Sequence, residues 1–125
     1  MDEFSQFYDA LTRHSGDYGT FSPNQVEILT EDGRTVPVKG RTRHPWAIVY
    51  ECCSAAKYGL YHIPTKLKVM EHHSAQSLAW LCDALDSLPV YWVLIENPDE
   101  LRDAIRIWWP NILWRANSGR DSGGV

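Results

Sequence analysis

The sequence predicts an α+β fold: a small mixed or antiparallel sheet packed with three to four helices. Three observations carry that prediction. An Asp32-Gly33 pair separates two segments rich in β-branched residues, the signature of a hairpin. Six apolar residues run unbroken from Val90 to Ile95, as a central strand buried on both faces would. Elsewhere apolar residues recur at helical spacing, as in Leu78, Leu81, Cys82 and Leu85.

The elements follow in order. Phe4, Phe7, Tyr8 and Leu11 form one stripe of a first helix that stops near His14, before Ser15-Gly16. Residues 17–24 are dense in turn formers. Residues 25–38 form a β-hairpin with a two-residue type I′ turn at Asp32-Gly33, which sets Glu31 opposite Arg34 and Leu29 opposite Val36. Pro37 cannot donate to a ladder, so the second strand is expected at a sheet edge. Residues 39–45 are a basic connector. For residues 46–58, Pro45 before and Gly59 after favour a helix, although Trp46, Ile48 and Tyr50 also alternate as a strand would. Lys66 to Met70 alternates and reads as a strand, and Ser74 then caps a helix that ends at Leu88-Pro89.

The Val90–Ile95 run comes next. Asn97 follows as an N-cap, with Pro98 at N1 and Glu100 at N3. Leu101, Ala104, Ile105 and Trp108 give that helix its buried stripe, and Pro110 is expected to separate it from a short apolar segment ending at Trp114. Residues 117–125 hold almost nothing to bury and are expected to form a flexible tail behind a single domain spanning 1–116.

Composition narrows the function classes. A hydrophobic fraction of 44% supports a real core. No apolar run approaches the roughly 18–20 residues that span a bilayer, and the first residues lack the pattern of a secretory signal. Three cysteines, an odd number without ligand spacing, argue against a disulfide framework and for a reducing, cytoplasmic setting. Each of them reads as a small buried hydrophobe. The net charge of −4 hides a strong asymmetry. Residues 33–70 carry seven basic side chains against Glu51 as their one acid, while the remainder carries five Arg against fifteen acids.

The chemistry-bearing residues do not assemble into a recognisable motif. His72 and His73 follow one another on a predicted strand and point to opposite faces, so at most one could join His62. A zinc site needs more ligands than that, and no metal or other cofactor is expected. Cys52 or Cys53 could pair with His62 or His72 and Glu51 as a nucleophile, which makes an enzyme the third-ranked reading. Lys39, Arg41, Arg43, Lys57, Lys66 and Lys68, with Trp46, Tyr58 and Tyr61 near them, fit a nucleic-acid-binding regulator, the second reading. Trp109, Trp114 and Arg115 are residues that dominate binding hot spots. The first reading is therefore a small non-catalytic module that binds a protein partner stoichiometrically, as an inhibitor, immunity-type protein or adaptor such as a bacteriophage or mobile element carries. An edge strand beside an apolar C-terminal patch also permits a homodimer.

Overall fold

A computed structural model describes residues 2–122, and side chains as far as residue 118. Helix α1 (Glu3–Thr12) precedes strands β1 (Ser22–Leu29), β2 (Thr35–Arg43), β3 (Trp46–Tyr50), β4 (Tyr58–His62) and β5 (Leu67–His72). Helices α2 (Ala75–Asp86) and α3 (Pro98–Ser122) follow, with short 3-10 turns at Tyr18–Thr20 and Trp92–Leu94. The class is α+β: one five-stranded sheet in the order β1-β2-β3-β4-β5, with every neighbouring pair antiparallel, and three α-helices.

The helix starts are set by side-chain caps. The Asp2 carboxylate accepts the Ser5 N–H at 2.7 Å, and the Ser74 hydroxyl accepts the Ser77 N–H at 3.2 Å. The Asn97 amide oxygen accepts the Asp99 N–H at 2.8 Å, with Pro98 at the first helical position. Unlike the expectation, α3 does not stop at Pro110 but runs through it. Pro110 and Arg106 are both exposed, so water can serve the Arg106 carbonyl that loses its helical donor. Of the segment expected as a tail, residues 117–122 continue α3. Residues 123–125 lie outside the described residues.

Two further expectations are corrected, and they exchange places. Trp46–Tyr50 is not helical; it is the middle strand of the sheet. Trp46 and Ile48 face the helices, while Ala47 and Val49 face the other side, and all four are buried. A strand covered on both faces is apolar throughout, so no alternation separates it from a buried helix. Val90–Ile95, in contrast, is not a strand. It turns through 92–94, burying Trp92 and Ile95 and exposing Tyr91, Val93 and Leu94. Burial at i and i+3 is the period of a 3-10 turn.

The hairpin is present with its register shifted by one. Ile28 opposes Val36, and Val26 opposes Val38. The turn has three residues rather than two: Thr30 N–H donates to the Arg34 carbonyl at 2.7 Å, and Gly33 adopts φ +85°. Thr30 locks this geometry, since its hydroxyl oxygen also accepts the Arg34 N–H at 3.2 Å. Nor is β2 an edge strand, because β3 pairs with it from Arg41 to Arg43. Pro37 lies in the part that β1 alone flanks, so its missing donor leaves no ladder bond unmade.

The sheet curls until its first strand nears its last. Leu29 N–H donates to the Lys66 carbonyl at 2.9 Å, and Glu27 pairs with Lys66 at 3.9 Å. The inner face encloses a small core of Val26, Ile28, Ala47, Val49 and Tyr61. The outer face presents Trp46, Ile48, Leu60 and Met70 to the three helices, whose Phe7, Leu11, Leu78, Leu85, Leu101 and Ile112 complete the main core.

Gly16 lets the α1 exit cross α2 at backbone contact. Its N–H donates to the Gln76 carbonyl at 2.8 Å, and a Cβ there would lie 2.5 Å from the Trp80 nitrogen. Backbone cannot move aside as a side chain does, so Gly16→Ala is expected to cost about 1–3 kcal/mol. Urea denaturation checks this; an unchanged midpoint would mean that α1 and α2 can part without loss.

Candidate protein-binding surface

The turn after α2 is built around Trp92. Its indole is buried beside Trp46, with ring centroids 5.5 Å apart. Its Nε1–H donates to the Leu85 carbonyl at 2.8 Å, satisfying the one polar group of the ring. Its backbone carbonyl lies 2.7 Å from His62 Nε2, and the Thr65 hydroxyl lies 2.9 Å from His62 Nδ1. A carbonyl only accepts, so Nε2 carries the proton and donates. Burial pushes the His62 pKa down, against the opposing pull of the Trp92 carbonyl, so the ring is neutral with Thr65 donating to Nδ1.

With Trp92 and Ile95 held inside, their neighbours Tyr91, Val93 and Leu94 are held outside. Tyr91 is 78% exposed and Leu94 71%, with Val93 beside them. The exposed carboxylates Glu96, Asp99 and Glu100 follow directly. The Asp99 charge is shared with Arg102 at 3.1 Å. The surface is therefore apolar at its centre and acidic at one side.

The tryptophans singled out in the sequence do not share a surface. Trp109 packs edge-on against Phe7 at 4.6 Å, and its Nε1–H donates to the Glu3 carboxylate. Trp114 lies on the open side of α3 and is 68% exposed. It borders a shallow groove of about 440 Å³ between α2 and α3, with Trp80, Asp83 and Arg115. Arg115 reaches across that groove to the Ala84 carbonyl at 3.3 Å and to the Ser87 hydroxyl, so it closes the last turn of α2. Ile107, one heptad before Trp114 and therefore on the same stripe, is also exposed.

The basic residues are dispersed, and several are already occupied. Arg43 lies 2.7 Å from Asp83 and 3.4 Å from Asp86, and covers the Phe21 ring at 4.7 Å. Arg41 lies over Tyr18 at 5.0 Å. Lys66 pairs with Glu27, and Lys68 with Glu51 at 3.0 Å and Glu71 at 3.3 Å. Among the described residues, Lys39 and Lys57 are exposed and form no ion pair. Of the rings expected to stack on bases, Trp46 and Tyr61 are buried and Tyr58 is half-buried. Tyr50, which the sequence pattern did not single out, is 59% exposed and meets Tyr58 edge-on.

A second polar cluster also escaped the sequence. Tyr61 donates to the Glu51 carboxylate at 2.6 Å, while Lys68 binds its other oxygen. Burial, reinforced by Glu51, pushes the Tyr61 phenol well up from its ordinary value. Burial works against the Lys68 ammonium, yet Glu51 and Glu71 outweigh it and raise its pKa. These groups border an open cavity of about 490 Å³. They satisfy one another, so a ligand would first have to displace them.

The cysteine–histidine pair does not assemble. Cys52 and Cys53 lie in the β3–β4 connection, whereas His62 is at the opposite end of β4, inside the core. His72 is buried too, with Nε2 3.1 Å from the Tyr8 carbonyl. Hydrogen bonding to Cys52 raises the Cys53 pKa, the reverse of what an activated nucleophile needs. Of the three cysteines expected inside, Cys82 alone is buried; Cys52 and Cys53 are exposed. Among the described residues, no three His, Cys, Asp or Glu side chains group to hold a metal ion, and no helix is long and apolar enough to cross a membrane. Comparison with protein-family models, with curated proteins and with solved structures gave no match.

His62 and His72 both have pKa values lowered first by burial. Unfolding restores them to about 6.5, so the unfolded chain binds more protons below that pH. Stability is therefore fully present above about pH 6.5 and falls as pH drops from there toward the folded-state values. Urea midpoints measured between pH 8 and 5 check this. A midpoint that rises on acidification would contradict the neutral, buried assignment.

Proposed function

We propose that the chain is a non-catalytic protein-binding module that acts stoichiometrically on one partner, as an inhibitor or immunity-type protein does. One observation carries the reading. Tyr91, Val93 and Leu94 are displayed on a turn that Trp92 and Ile95 anchor in the core. A turn whose backbone is already anchored loses little further backbone freedom on association, and tyrosine is enriched among the residues that dominate interfaces. The carboxylates beside them favour a partner whose apolar socket has a basic rim. Trp114 and Ile107 offer a second exposed apolar region on α3, while Trp109 and Arg115 hold α3 to α1 and α2.

The test is affinity capture from extracts of the source cells, with wild type beside a Tyr91→Ala, Leu94→Asp variant. The expected result is one stoichiometric protein band that survives moderate salt and is weakened at least roughly tenfold by the variant, since each interface hot spot contributes about 2 kcal/mol or more. Trp114→Ala should weaken it less. An unaffected band, or a wild type that retains nothing stoichiometric, would remove the reading. Sedimentation distinguishes a second copy of the chain as the partner.

The nucleic-acid reading keeps one specific support: an exposed ring, Tyr50, and two exposed lysines, Lys39 and Lys57, that form no ion pair among the described residues. Arg43 does not suit a test of it, because reversing that charge would also break the contacts with Asp83 and Asp86. Under this reading, binding to mixed single- and double-stranded nucleic acid falls steeply with salt and is lost in a Lys39→Glu, Lys57→Glu variant. No binding at low salt would eliminate it.

A further inference from the structure

The β3–β4 connection holds two adjacent thiols in a fixed loop. Glu51 N–H donates to the Lys57 carbonyl at 2.6 Å, Ser54 N–H to the Glu51 carbonyl at 3.0 Å, and Lys57 N–H to the Ser54 carbonyl at 3.2 Å. The Ser54 hydroxyl oxygen accepts the Ala56 N–H at 3.2 Å. At the tip, Cys52 and Cys53 are both exposed, with their Sγ atoms 3.6 Å apart.

That separation selects among the bonds the pair could make. Adjacent Cα atoms are about 3.8 Å apart, short of the roughly 4.4–6.8 Å that unstrained disulfides require. A direct S–S bond would therefore be strained and easily reduced. A single atom bonded at about 2.3 Å to each sulfur would span the observed 3.6 Å at an angle of about 103°. A linear two-coordinate ion would need the sulfurs about 4.6 Å apart at that bond length. The pair therefore suits a thiophilic atom of pyramidal or tetrahedral geometry. It offers only two protein ligands, because the nearby Glu51 carboxylate is engaged by Tyr61 and Lys68. The remaining position must be filled by the ligand's own substituent.

We infer that Cys52 and Cys53 form a vicinal-dithiol site for trivalent arsenic carrying one organic substituent, R–As(III). With an arsine oxide, two As–S bonds form and the As=O bond breaks. Its oxygen leaves as water with the two thiol protons, and the arsenic stays trivalent, so no oxidant is consumed. The site lies at the opposite end of β4 from His62 and the Trp92 turn, so it does not rest on the protein-binding reading.

The probe is phenylarsine oxide, added to the reduced, folded protein and followed by intact mass. Wild type, Cys52→Ser and Cys53→Ser are compared under excess glutathione and then under an excess of a small dithiol. Matching unfolding midpoints would establish that the exposed substitutions leave the fold intact. The expected result for wild type is one phenylarsenic group per chain with loss of one water, resistant to glutathione and released by the dithiol. Either serine variant should hold the group roughly 10²–10⁴-fold more weakly, because the second bond is no longer intramolecular. Glutathione that strips wild type as readily as the variants, or two arsenic groups on one chain, would overturn the chelate.

Discussion

A strand without an exposed face has to be covered twice, and Trp46–Val49 is the place where this chain meets that requirement. On the outer face, Trp46 and Ile48 are covered by helices; on the inner face, Ala47 and Val49 are covered by the sheet curling over them. Trp46 then couples the two halves of the chain. Its Nε1–H donates to the Asp86 carboxylate at 2.8 Å, at the end of α2, and its ring meets both His62 and Trp92. The end of the sheet, the last turn of α2 and the displayed turn thus share one side chain. Truncating a buried Trp typically costs about 3–5 kcal/mol, a large part of the roughly 5–15 kcal/mol that holds a domain together.

The chain's charge asymmetry is resolved mostly within the fold. Arg43 from the basic middle meets Asp83 and Asp86 from the acidic C-terminal half, and Lys66 meets Glu27 from the N-terminal part. Exposed pairs of this kind contribute only about 0–1 kcal/mol each, so they do not hold the fold. They do remove positive charge from the surface. A run of basic residues predicts a polyanion site when its strands leave those side chains facing solvent together, and here β2 turns Arg41 and Arg43 onto Tyr18 and Phe21.

Local chemistry was legible where a residue's role depends on its immediate neighbours. Ser74 and Asn97 cap helices because their side-chain oxygens reach the next N–H groups, wherever the helix sits in the molecule. The Asp32-Gly33 turn was legible in place but not in register, because Thr30 adds bonds that lengthen the loop by one residue. What was not legible depends on partners distant in sequence. Trp46-Ala-Ile-Val and Val90-Tyr-Trp-Val-Leu-Ile look alike as strings. One is covered on both sides and the other on one, and only the packed structure decides which. Glu51 was invisible as the centre of a cluster for the same reason, since its partners Tyr61 and Lys68 arrive from two other strands.

The exposed apolar turn also bounds the size of the surface that must act. Fully burying a side chain of Val to Phe size is worth about 1.5–3 kcal/mol. Three such residues therefore supply at most some 9 kcal/mol, against association costs of about 4–15 kcal/mol. The turn alone would give a weak encounter. A durable complex needs a second contact region, and α3 supplies the apolar candidates in Ile107 and Trp114. Arg115 fixes α3 against the same end of α2 from which the turn departs. A rigid partner could then engage both regions without the chain rearranging, which keeps the entropic cost near the lower end of that range.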